Sequence, residues 1–109
     1  MDELTTLISE LVKFRDARHW EQFHNSKDLA LGLMIEAAEL NELFLWKKAN
    51  EVNEDRLKEE LADVLAFAFL LANNHKIDIK EIMLKKIRIN NKKYPVKKAK
   101  DSAKKYNEL

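Results

Sequence analysis

The 109-residue chain has no cysteine, one glycine (Gly32) and one proline (Pro95). Without cysteine there is no disulfide, no thiolate zinc site and no cysteine nucleophile, which fits a reducing compartment. One Gly and one Pro are too few for the turns of a sandwich or barrel, and the glycine-rich phosphate loops of P-loop and Rossmann proteins cannot be assembled. Long apolar runs are also missing. The most apolar stretch, Leu61 to Ala72, is interrupted by Asp63 and falls short of the roughly 20 residues that cross a bilayer. The N-terminus lacks the features of a signal peptide, so a cytoplasmic protein with no membrane partner is expected.

What is present is 46% apolar and 36% charged residues, the composition of one compact all-helical domain spanning residues 1–109. The net charge of +1 hides a strong asymmetry: residues 1–84 carry 10 Lys/Arg against 17 Asp/Glu, and residues 85–109 carry 10 against 2. An acidic body over 1–84 is thus followed by a basic end, and a helical body over 1–95 by a basic tail over 96–109.

Asp2 is positioned to cap a first helix whose apolar residues Leu4, Leu7, Ile8, Leu11, Val12 and Phe14 recur at helical spacing. Asn25 and Ser26 offer cap oxygens for a second helix from about Lys27 to Lys48. Asn53, followed by Glu54 and Asp55, opens a third helix lasting to Asn73 or Asn74. Asp78 with Glu81 three positions on resembles a capping box, and the fourth helix should stop before Tyr94-Pro95, because the residue preceding proline avoids helical angles.

The chemistry-bearing residues interrupt the apolar runs. Between Leu29 and Trp46 the second helix is almost wholly apolar, yet it carries Glu36, Glu39, Asn41 and Glu42; in LADVLAFAFLLA of the third helix Asp63 is the sole polar residue, with Glu60 one turn before it. Each pair, ExxE and ExxD, shares a helix face, and such surroundings place these carboxylates at or near the interior. An unpaired buried carboxylate must neutralise, find a cation or bind a metal. Lys and Arg are absent from 28–46 and from 59–75. A divalent ion answers the deficit, and an all-oxygen donor set favours Mg²⁺, or Mn²⁺, over zinc or copper. Glu42 continues the ladder, and a surface position accounts for it equally well.

Trp20, within FRDARHWEQFH, and Trp46, at the far end of the second helix, are candidates to stack on a base; closing the end of the core is the alternative use of each ring. His19, His24 and His75 read as surface or internally satisfied histidines. The lysines of the tail are a solvated end or a site for phosphate, and Asn90 and Lys93 at the end of the fourth helix are the best placed of that region to meet one.

Taken together, WEQFH at 20–24, EAAELNELFLW at 36–46, EELADVL at 59–65 and KKYPV at 92–96 resemble the MazG-type all-α nucleoside triphosphate pyrophosphatases, most of all their dCTP pyrophosphatase branch, over about Leu11 to Tyr106. The resemblance implies a four-helix bundle protomer forming a dimer or dimer of dimers. It also implies Mg²⁺ held by Glu36, Glu39, Glu60 and Asp63, and cleavage of a (d)NTP, with dCTP or another dNTP foremost, to the monophosphate and pyrophosphate. One of the glutamates, here taken to be Glu39, would orient or deprotonate the attacking water. Trp20 and Trp46 would flank the base, and Asn90, Lys93 and Tyr94 would contact the nucleotide or its phosphates. A departure is Phe67, four residues after Asp63: a dCTP pyrophosphatase relative has Tyr there, so any hydroxyl contact is lost. Two other classes share parts of this pattern. A ferritin-like di-metal protein would need Glu-x-x-His pairs, which are missing. A non-enzymatic helical nucleotide- or nucleic-acid-binding module would work through the basic tail, although no specific nucleic acid is expected.

Overall fold

The computed structural model describes residues 2–109, and among them every regular element is helical. Four long helices, α1 (Glu3–Ala17), α2 (Ser26–Glu42), α3 (Glu54–Asn74) and α4 (Ile79–Lys93), are followed by a single turn, α5 (Val96–Ala99). Short 3₁₀ turns lie at Trp20–Phe23, Ala49–Glu51 and Tyr106–Glu108. No helix among the described residues is long and apolar enough to cross a membrane. The chain forms two compact units, one ending at Lys76 and one comprising Ile77–Leu109.

All four long helices begin as expected. The side chains of Asp2, Asn25, Asn53 and Asp78 accept hydrogen bonds from the backbone N–H of Thr5, Asp28, Arg56 and Glu81, satisfying donors that a helix start leaves unpaired. The end of α2 differs from the expectation at Lys48. The helix stops at Glu42, Leu43 turns inward to become one of the few buried residues, and Trp46 takes a left-handed conformation at φ 61°. With no glycine at that point the stop carries no local signature.

Within the first unit α3 packs principally against α2 and secondarily against α1. Ser26 Oγ lies 2.7 Å from His75 Nε2, and Asn74 Nδ2 donates to the His24 carbonyl at 2.8 Å, so the start of α2 is tied to the end of α3 and the two helices run antiparallel. Moving up α2 therefore moves down α3: Gly32 meets Phe67, and Glu36 meets Asp63 and Glu60. The fully enclosed Leu29 and the buried Leu70 and Ala72 form the core at one end of this pair, and Leu43 is buried at the other.

Candidate metal centre

The antiparallel register brings the two acidic motifs together. One carboxylate oxygen from each of Glu36, Glu60 and Asp63 lies within 4.8 Å of the others, a spacing that fits shared coordination of one cation. Glu39 stands beside this trio, near enough for its charge to act on Glu36 and Glu60, although it is not one of the three converging groups. The expectation of interior carboxylates is met in part. Glu36 and Glu60 are half-buried, Glu39, Glu42 and Asp63 are exposed, and the cluster opens toward solvent. One oxygen of Glu36 and one of Glu60 are nevertheless shut away from water with no hydrogen-bond partner. A buried acceptor left unpaired costs about 1–3 kcal/mol, so these two atoms are where a cation would relieve the fold most.

The same environment displaces proton equilibria. Burial pushes the Glu36 carboxyl above its ordinary value of 4.5, and hydrogen bonding with Glu39 and the charges of Glu39, Asp63 and Glu60 push the same way. Glu60 is raised first by burial and then by the charges of Glu39 and Asp63, with Arg56 opposing. A carboxyl that holds its proton more tightly when folded stabilises the fold at acidic pH, and that contribution is lost as pH rises from about 4.5 through the raised value. In EDTA, therefore, the melting temperature of Glu60→Gln should exceed that of the parent chain by a margin that widens from pH 4.5 to pH 8. A margin that stays constant or reverses over that interval would show that this carboxylate is comfortably solvated.

Two pockets adjoin the cluster. A polar one of about 320 Å³ is lined by Glu39, Glu42, Glu60, Asn53, Lys47 and Arg56. Lys47 and Arg56 went unremarked in the sequence because they sit just outside the cation-free windows, and the turn between α2 and α3 returns them to the acids. An aromatic pocket of about 280 Å³ is lined by Phe14, Trp20, His24, Phe67 and Leu70, with Asp63 on its wall. The Trp20 ring meets Phe14 edge-on at 5.7 Å, and His24 lies 6.4 Å from both Trp20 and Phe67. His24, read as a surface or satisfied residue, is half-buried with an unpartnered Nδ1. Its aromatic neighbours in WEQFH were the available signal.

The remaining candidates are placed differently. Trp46, 94% exposed after the end of α2, does not line the aromatic pocket. Asn90, Lys93 and Tyr94 fall in the second unit at the end of α4, where the Tyr94 N–H donates to the Asn90 carbonyl at 2.8 Å. There Tyr106 packs edge-on to Tyr94 at 6.2 Å, and the Lys93 ammonium sits 4.8 Å from the Tyr106 ring centre, so the basic segment is pinned at one point.

Comparison with known proteins agrees with this layout. A family model described as MazG-like matches residues 32–109. dCTP pyrophosphatase 1 of Homo sapiens is 39% identical over 117 residues, covering 100% of this chain and 67% of the relative; its Bos taurus counterpart is 37% identical, covering 100% and 68%. The crystal structure of a pyrophosphatase from Archaeoglobus fulgidus superposes with a TM-score of 0.80 at 36% identity, covering 87% of this chain and 94% of that one. With its two acidic helices, its all-α architecture and relatives matched along its whole length, the chain belongs to the MazG-like family.

Proposed function

We propose that the protein is a divalent-metal-dependent nucleoside triphosphate pyrophosphohydrolase, acting on dCTP or another dNTP to give the monophosphate and pyrophosphate. The observation that carries this reading is the convergence of Glu36, Glu60 and Asp63 with two solvent-excluded, unpartnered oxygens. The chemistry of relatives named dCTP pyrophosphatase 1 supports it. The donor set is all hard oxygen and so fits Mg²⁺ or Mn²⁺. Glu36, Glu60 and Asp63 would hold such an ion with Glu39 as a fourth carboxylate, and when bound it would supply Lewis-acid neutralisation of phosphate charge and lower the pKa of a nearby water.

The chain's own residues do the rest. Glu39, beside the converging trio and not part of it, accepts the proton of the attacking water. Asp63 belongs to the trio and also lines the aromatic pocket, so a nucleotide with phosphates at the acids places its base against Trp20. Trp46, exposed and outside the aromatic pocket, offers a second ring to flank the base. The protein works as a dimer or dimer of dimers in the cytoplasm.

A screen of the eight common NTPs and dNTPs tests this reading. Pyrophosphate release should appear for at least one dNTP with Mg²⁺ and fall at least about 100-fold in EDTA, the scale expected when a charge-stabilising metal is withdrawn. Undiminished release in EDTA, or release of orthophosphate in its place, would reject it.

A further inference from the structure

The one glycine of the chain lies in the interior of α2. It has no left-handed backbone angle, so no turn requires it, and alanine would suit the helix better. What requires it is Phe67. A β-carbon at residue 32 would stand 2.5 Å from Cε1, 2.8 Å from Cδ1 and 2.9 Å from Cζ of the Phe67 ring, far inside the roughly 3.5–4.0 Å of carbon–carbon contact. The ring therefore rests directly on the α2 backbone. The same ring is also a wall of the aromatic pocket, with the His24 ring centre 6.4 Å away.

We propose that Gly32 is a positioning residue for the nucleobase: by leaving a seat for Phe67 on α2, it holds that ring back from the aromatic pocket and keeps the pocket open to a flat heterocycle. This rests on the pyrophosphohydrolase reading above and adds to it the residue that sets the room for the base. A β-carbon at 32 drives the ring off α2 and into the space between Trp20, His24 and Asp63. The reacting phosphates, at the carboxylates farther along α2, are left where they were. Binding therefore suffers and turnover is spared.

The test is a double-mutant cycle of Gly32→Ala and Phe67→Leu. It is read by calorimetric binding of a non-hydrolysable α,β-imido dCTP with Mg²⁺, by the KM and kcat for dCTP, and by melting temperature. Gly32→Ala should weaken analogue binding and raise KM about tenfold, as an overpacked pocket wall would, with kcat within a few fold of the parent. In the Phe67→Leu background, which lacks the Cε1 and Cζ atoms that meet the new β-carbon at 2.5 and 2.9 Å and whose δ-carbons can turn to another rotamer, Gly32→Ala should change neither affinity nor KM. Unchanged analogue affinity in Gly32→Ala, or an equal loss in both backgrounds, overturns the proposal while leaving the activity intact. If Gly32→Ala alone melts below the assay temperature, the double variant decides: binding equal to Phe67→Leu alone upholds the steric coupling, and weaker binding overturns it. A parent chain that binds no dNTP analogue removes the underlying reading and this inference with it.

Discussion

Glu36→Gln is expected to move activity and stability in opposite directions. Pyrophosphate release from the preferred dNTP should fall at least about 100-fold, close to 3 kcal/mol of transition-state stabilisation. The melting temperature of the metal-free protein should rise by about 4 °C or more, the shift that roughly 1 kcal/mol produces in a domain of this size. Both effects have the same cause. In the metal-free chain Glu36 faces Glu39, Glu60 and Asp63, all of which oppose its ionisation, and one of its oxygens is buried without a partner. Glutamine removes a charge from that group and brings an N–H donor that the surrounding acids can accept, which relieves the fold while depriving a cation of a ligand. Measuring initial rates and thermal melts on one preparation separates the possibilities. A loss of both activity and stability would mark Glu36 as a structural group, and unchanged activity would remove it from the site.

The second large effect concerns assembly. Sedimentation at micromolar concentration should give a mass of at least two chains of 12.8 kDa, and Leu31→Asp should weaken self-association by about 30-fold or more, the effect of losing a central apolar anchor. On α2, Leu31, Met34 and Ile35 are 47%, 62% and 48% exposed, and on α3 Leu61 and Leu65 are 45% and 43% exposed. The α2 residues recur at the three- and four-residue spacing of one helix face. A second subunit would cover such a stripe. The stretch Ala66 to Ala72 of α3, apolar on every face, gives the same expectation from sequence. A single 12.8 kDa species at micromolar concentration would contradict it.

The legibility of this chain follows the range of the forces involved. Helix starts were readable because an Asx side chain caps a backbone N–H three residues on, an interaction contained in the local sequence, as at Asn25 and Asn53. The end of α2 was not, because it depends on Leu43 finding the core and on Trp46 adopting a conformation that glycine would have advertised. The acidic motifs were legible as polar residues in apolar runs. Their meeting is a matter of register, fixed by contacts such as Ser26 with His75 that span 49 residues. They are less buried than their apolar neighbours suggest, because a seam between two helices has an open edge. His24 and the neighbourhood of Lys47 and Arg56 were missed for the same reason: their significance comes from what α3 and the α2–α3 turn place beside them.

The acidic seam as the seat of a catalytic cation is the claim on which the functional account turns. Crystals grown with Mn²⁺ and α,β-imido dCTP would test it by anomalous scattering at the manganese edge. The account predicts a peak among the carboxylates of Glu36, Glu60 and Asp63, with the base against Trp20. Nucleotide-bound crystals in which those carboxylates turn apart into solvent, with no peak between them, would contradict it.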